Sequence, residues 1–261
     1  MSKIGTLIYL LLTSFAVMGQ GCIESEYDKL DESEDWTIRF SDDCTEHWQT
    51  KWHLDGLRAD VFNNQDGMVF SAGPVAGDDA CHAVLWTKES FKGDIKVEYE
   101  YTRTDAQLKF VNILYIQATG TGSGSYKTDI FEWNDLRIIP SMNLYYKNMN
   151  AIHISYAAMD PDDKDNKDYI RVRRYPVISN FNNTEIPEAS FNTGLFVPGK
   201  KYKITAIKTT GKLYFRIEGQ DKSEYFKWDT SVFPEIIEGR VGLRHMYTSS
   251  ALYKDFKIYT K

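Results

Sequence analysis

The chain has 261 residues, 42% hydrophobic and 14% aromatic, with 31 basic against 37 acidic side chains and a formal charge of -6. That is enough apolar material for one packed core, and a single β-sandwich can use the whole length. The acidic balance argues against nucleic acid, whose phosphates want a basic footprint. A local basic patch on such a chain suits one anionic ligand instead. No internal repeat or low-complexity tract interrupts the pattern.

Residues 1–20 read as a signal peptide. Lys3 supplies the charge, and an apolar run starts at Leu7 and reaches about Val17, too short to span a bilayer as a stable helix. Cleavage after Gln20 is expected, leaving an exported protein, periplasmic or extracellular. Cys22 raises a lipoprotein anchor as the rival reading, but Gly19 stands where such signals carry a larger aliphatic residue. No later segment is apolar enough for a transmembrane helix. Export permits disulfides. Cys44 and Cys81 either pair or stay as buried free thiols, and the sequence leaves both open. Residues 21–34 carry Glu24, Glu26, Asp28, Asp31, Glu32 and Glu34 and read as a flexible acidic lead-in. Residues 35–261 then form a single domain.

The strands follow in short succession. Trp36–Phe40 is the first, and Ser41-Asp42-Asp43 makes a turn. Trp48 and Trp52, flanked by His47 and His53, read as core packing near a loop rather than a sugar platform. Met68–Gly73 and His82–Trp86 are strands. Ile95–Arg103 alternates, with Ile95, Val97, Tyr99 and Tyr101 inward and Lys96, Glu98 and Glu100 outward. Phe110–Ala118 is mostly apolar, as a central strand should be. Gly120–Ser125 is a loop without the Lys-Ser/Thr ending of a phosphate loop. Lys127-Thr128-Asp129-Ile130-Phe131-Glu132 reads as a strand ending in a polar bulge, with Trp133 beside it free to stack on a sugar or to pack.

Two strands carry the densest chemistry. Ala151–Tyr156 places His153 and Ser155 on one face, opposite Ile152, Ile154 and Tyr156. Tyr169–Tyr175 places Tyr169, Arg171, Arg173 and Tyr175 on one face. If the strands are neighbours, one sheet face carries two arginines, two tyrosines and a histidine. Guanidinium forks match carboxylate and sulfate geometry. The bland alternative is a solvated face with arginine stems lying over it. The joining loop, Asp160–Asp168, has calcium-like oxygen density but lacks the central Gly and terminal Glu of an EF-hand, and reads as a solvated hairpin loop.

Strands and turns continue through Tyr202–Ile204, Leu213–Ile217, Val241–Tyr247 and Leu252–Tyr259. About a dozen short strands and no long amphipathic helix predict an all-β fold, an antiparallel β-sandwich or jelly roll.

The runs Gly239-Arg240-Val241-Gly242-Leu243-Arg244-His245 and Ala251–Ile258, with Ala83–Lys88, His153–Ala157 and Tyr169–Pro176, carry a resemblance over nearly the whole mature chain. It resembles a bacterial family of unassigned function with a concanavalin-like jelly roll, one member of which lies in a rhamnogalacturonan-utilisation locus. Within that group it is similar to secreted dehydratases that act on ulvan oligosaccharides. The resemblance implies saccharide handling and brings no catalytic motif with it.

Jelly-roll glucanases, the nearest hydrolase comparison, need two carboxylates on one strand. Here Asp129 and Glu132 fit, but Lys127 stands at the nucleophile position. Elimination from a uronate needs other parts: a cation for the carboxylate, a base for the C5 proton, and an acid for the oxygen leaving C4. His153 and Tyr175 suit the proton transfers, and Arg171 suits neutralisation of charge in the same catalytic set. Arg173, Tyr115, Lys127, Trp133, Arg244 and His245 are candidates to bind substrate. No metal cluster with ligand spacing is visible, and no cofactor is called for. The expected activity is therefore β-elimination on a uronate-containing oligosaccharide by a dehydratase or lyase. A non-catalytic sugar-binding jelly roll and a glucanase-related hydrolase stand as the alternatives.

Overall fold

The computed structural model describes residues 21–106, 110–159 and 167–261. The signal segment and most of the Asp160–Asp168 loop fall outside them. Strands are short wherever Gly, Asn and Asp turns interrupt the alternation. In chain order they are β1 (Thr37–Asp42), β2 (Trp52–Asp55), β3 (Asp60–Asn64), β4 (Gly67–Ser71), β5 (Ala83–Thr87), β6 (Phe91–Lys92), β7 (Ile95–Arg103) and β8 (Phe110–Gly120). There follow β9 (Met149–Met159), β10 (Asp168–Tyr175), β11 (Glu185–Phe191), β12 (Lys201–Thr209), β13 (Lys212–Glu218), β14 (Ser223–Asp229), β15 (Glu238–His245) and β16 (Ser250–Thr260).

They form two antiparallel eight-stranded sheets. The first runs β14-β13-β12-β7-β16-β4-β3, with β1 beside β16. The second runs β11-β10-β9-β8-β15-β5-β2, with β6 beside β15. This is the expected antiparallel β-sandwich, a concanavalin-like jelly roll, with more strands than the sequence suggested.

The core lies between the sheets. Ile95, Val97, Tyr99 and Tyr101 of β7 meet Leu114 and Ile116 of β8, Ile152, Ile154 and Tyr156 of β9, and Ile170 and Val172 of β10. Each fully buried aliphatic or aromatic side chain of this kind contributes roughly 1.5–3 kcal/mol. The other face of the second sheet is also covered. Trp86, Ile113, Tyr115, Ala151 and Tyr175 form a second apolar layer. A 3-10 segment, Ile130–Arg137, and a short helix, Met142–Asn148, lie over it. Gly242 is required here: a Cβ on it would sit 2.4 Å from the Trp86 ring, so only glycine lets that indole lie against β15.

One expectation changes, and one choice left open is resolved. Residues 21–31, read as a flexible lead-in, are helical. Tyr27 is buried with its ring 5.4 Å from that of Tyr225. Glu26 accepts from Lys227 Nζ at 2.6 Å and Tyr214 Oη at 2.8 Å, and Asp31 accepts from Lys96 Nζ at 2.8 Å. Two of the six acidic side chains that suggested solvation, Glu26 and Asp31, instead meet lysines on the first sheet's outer face. The cysteines are all free, Cys22 exposed and Cys44 and Cys81 buried. No helix among the described residues is long and apolar enough to cross a membrane.

Candidate functional site

β9 and β10 are hydrogen-bonded neighbours, with Arg173 opposite His153 and Arg171 opposite Ser155. On the other side of β9, Tyr115 of β8 stands opposite His153. Period 2 sends these side chains away from the inter-sheet core, to the outer face of the second sheet. All but Tyr115, which is fully buried behind His153, line a cleft there of about 520 Å³ that contains His153, Ser155, Tyr169, Arg171, Arg173 and Tyr175. Its apolar walls include Met142 and Tyr146 of the short helix, Phe181 beyond β10 and Met246 beyond β15.

The floor is aromatic and its polar atoms are unpaired. The His153 ring lies 4.7 Å from that of Tyr175 and 5.4 Å from that of Tyr115. Among the described residues, neither ring nitrogen of His153 has a hydrogen-bond partner, nor does the hydroxyl of Tyr175 or of Tyr115. Arg244, fully buried beneath them, donates from Nη2 to the Pro140 carbonyl at 2.6 Å and lies over the Tyr145 ring at 4.6 Å. Its Nε and Nη1 have no partner. Six buried polar atoms without partners in one place is unusual, since each such atom costs on the order of 1–3 kcal/mol.

Burial, and then the charges of Arg173 and Arg244, hold the His153 imidazole well below its ordinary pKa. Burial likewise pushes the Tyr175 phenol well above its ordinary value, and raises that of Tyr115 against the pull of Arg244. At neutral pH the floor therefore presents a neutral imidazole and two protonated phenols above a guanidinium.

The paired arginines are less available than the sequence implied. Glu185 of β11 sits 3.1 Å from Arg171 Nε and 3.3 Å from Arg173 Nη2. Arg173 also donates from Nη1 to Thr184 Oγ1 at 3.0 Å and to the Phe181 carbonyl at 3.1 Å, so it is largely committed to holding the wall. Arg171 is the more exposed of the two, at 21% against 7%.

Five expected residues do not line the cleft: Tyr115 and Arg244 are fully buried behind its floor, and three others lie elsewhere. His245 points between the sheets, where its Nε2 meets Tyr253 Oη at 2.7 Å and its ring stacks on Phe70 at 4.4 Å. It follows Arg244 directly, and adjacent strand residues face opposite ways. Lys127 is exposed on a loop. Trp133 is buried, donating from Nε1 to the Lys127 carbonyl at 2.9 Å, with its ring under the Arg137 guanidinium at 4.4 Å. The Lys127–Glu132 stretch is not a strand. Asp129 caps the 3-10 segment, accepting from Phe131 N at 3.0 Å, and pairs with Arg240. The glucanase comparison loses the geometry it needed.

Sequence reasoning missed the walls and a neighbouring hub. Asp55 accepts from Arg137 Nε at 2.6 Å, Trp86 Nε1 at 2.7 Å and Tyr145 Oη at 2.8 Å. These partners come from distant parts of the chain, and no local pattern links them.

Among solved structures, the chain is similar to a protein of unknown function with a galectin-like fold from Bacillus subtilis. The TM-score is 0.67 at 17% identity, covering 86% of this chain and 98% of that one. It is also similar to the exoplasmic/lumenal domain of VIP36 with calcium and Man3GlcNAc bound, at TM-score 0.56, 11% identity and coverage of 87% and 91%. Lectin II from Ulex europaeus gives 0.53, 10% identity and coverage of 88% and 100%. These likenesses show a shared fold. Among curated proteins none matches. A family described as a domain of unknown function, DUF1961, matches residues 45–258, and the chain belongs to that family.

Proposed function

We propose that the outer cleft takes a uronate of an ulvan-type oligosaccharide and promotes β-elimination, as a dehydratase or a lyase of an exported protein. The observation that carries this reading is the set of unpaired polar atoms on His153 and Tyr175, which line one ligand-sized cleft, and on Tyr115 and Arg244, fully buried behind them. The fold adds support, because the similar VIP36 domain is described with a bound saccharide.

The parts fit the reaction. The sugar carboxylate pairs with Arg171 at the rim and lies against His153 and Tyr175, with the buried Arg244 guanidinium acting on it from behind the floor. Its negative charge offsets the guanidinium field that depresses His153, and so raises the basicity of the imidazole when it is needed. His153 accepts the C5 proton. The C5–H electrons form the C4=C5 double bond as the C4–O bond breaks, and Tyr175 gives its proton to the departing oxygen. Charge developing on the carboxylate meets a buried guanidinium, where electrostatic stabilisation is strongest. A free hydroxyl leaving as water makes the enzyme a dehydratase, and a departing sugar makes it a lyase. Proton return from His153 to Tyr175 resets the site.

The depth of His153, 1% exposed, favours a second reading: a non-catalytic sugar binder whose floor only recognises the acid group. One experiment separates the two. Purified protein is incubated with uronate oligosaccharides while the ultraviolet absorbance of the conjugated unsaturated uronate is followed, and product masses are taken. Elimination gives a growing band and a product lighter by water, or a cleaved chain. Saturable binding without the band establishes the binder.

A further inference from the structure

A second cavity, of about 200 Å³, opens at one end of the sandwich between the two sheets. It is separate from the outer cleft, although β10 contributes to both. Arg173 faces outward from that strand, and Arg174, its neighbour, faces inward. Arg174 is 7% exposed and donates from Nε and Nη2 to the Pro234 carbonyl at 3.3 and 3.1 Å. From the opposing sheet, Lys208 of β12 follows the inward positions Ile204 and Ala206 and is 4% exposed. Both cations line the cavity, together with Thr210, Thr230, Ser231 and Glu235.

The charges do not balance. Among the described residues no carboxylate lies within ion-pairing distance of the Lys208 ammonium. Glu235 and Asp94 act on it only from farther away, while Arg174 opposes its charge. Glu235 is exposed and accepts from Thr210 Oγ1 at 2.8 Å. An ammonium this deep is costly unless an anion accompanies it. Two cations from opposing sheets make the complement of an oxyanion.

We propose that this inter-sheet cavity is a binding site for a small oxyanion of the phosphate or sulfate class, held between Lys208 and Arg174. Lys208 supplies a point charge with three donors, and Arg174 the guanidinium donors it does not spend on Pro234. Thr230 adds a hydroxyl, while Thr210 and Ser231 spend theirs on Glu235 and Asp229. The site does not depend on what the outer cleft does.

The test is a calorimetric titration of the full chain with inorganic phosphate and with sulfate. It is accompanied by thermal melts at constant ionic strength with chloride as the control. Wild-type protein is expected to bind one phosphate or sulfate saturably and to melt higher in it than in chloride. Lys208→Met should lose roughly tenfold or more in affinity, because a charge-assisted contact is gone. It should melt no lower than wild type in chloride, since an uncompensated buried charge is also gone. Lys208→Arg should keep the response. Glucuronate binding, followed in the same variants, should be unchanged, which separates this site from the outer cleft. A wild-type response equal to that in chloride, or an undiminished response in Lys208→Met, overturns the proposal.

Discussion

Two polar clusters share the outer face of the second sheet and treat their hydrogen bonds in opposite ways. Around Asp55 nearly everything is paired: the carboxylate takes Arg137, Trp86 and Tyr145, and Arg137 also donates to the Ile130 carbonyl at 2.6 Å. Beside it, around His153, six polar atoms have no partner among the described residues. The clusters touch, because Tyr145 stacks against Tyr115 at 6.0 Å and lies under Arg244. Burial is the same in both, so burial cannot be what distinguishes them. A closed network fixes structure. An open one holds donors and acceptors ready for something that is not the chain itself, and its cost is tolerated where function requires it.

The largest effect should come from opening the closed cluster. Asp55→Ala leaves Arg137 as an uncompensated buried charge, which typically costs about 3–5 kcal/mol. Chemical denaturation with an unchanged slope measures it. A loss under about 1 kcal/mol would mean that the hub is not closed in solution, and the contrast would fail.

Closing the open cluster should do the reverse for stability. His153→Leu replaces two unpaired nitrogens with an apolar group of similar size, and should be neutral or stabilising by about 1 kcal/mol. The same change should reduce turnover by about 10²–10⁴-fold if His153 moves the C5 proton. A destabilisation as large as that of Asp55→Ala would show that the imidazole has partners after all. Near-wild-type elimination on the true substrate would remove it from the mechanism.

Acid sharpens the comparison through the same residue. His153 and His245 both fold as neutral imidazoles, burial being the main cause, with His245 pushed down to about 4 and His153 well below its ordinary value. A depressed histidine binds its proton more readily in the unfolded chain. The stability it contributes is therefore complete above about pH 6.5 and is lost as the pH falls from there toward the folded value. Each such group gives a slope of roughly 1.4 kcal/mol per pH unit. Denaturation series from pH 7 to pH 5 should show this slope, and His153→Leu should make it shallower. An equally steep profile in the variant would mean that His153 is not held neutral.

The strand code explains what was legible in the sequence. Alternation fixed the sandwich, and the parity of His153, Arg171, Arg173 and Tyr175 put them on one face before any pairing was known. The same rule rejects His245 once Arg244 is accepted, because consecutive residues cannot share a face. Contacts between distant segments were not legible. Phe181, Met142 and Met246 reach the cleft from three connections, and Asp55 meets Arg137 across 82 positions of sequence. Lys127–Glu132 misled for a local reason: Asp129 satisfies backbone donors as a cap, which competes with strand formation. Glu185 was overlooked because nothing in its own strand marks it as the partner of two arginines.

Glu185 offers the smallest and most discriminating test. Its carboxylate is 32% exposed and bonds to Arg171 and Arg173 on the rim of the cleft. Ion pairs exposed to this degree are worth about 0–1 kcal/mol, so Glu185→Gln should change stability by less than about 1 kcal/mol. Its consequence for ligands depends on which part of the cleft recognises the acid. If Arg171 helps to hold a uronate, the resident carboxylate competes with it, and removing that charge should tighten glucuronate binding by a few-fold at low salt. The gain should shrink as salt is raised, because screening reaches rim charges first. If Glu185 instead sets the two guanidiniums in a receptive geometry, the same variant binds more weakly and salt changes little. Calorimetric titration at two ionic strengths separates these outcomes. An affinity that does not move at all would place recognition entirely on the floor of the cleft, at His153 and Tyr175 with Arg244 behind them, and leave the rim arginines serving only as wall.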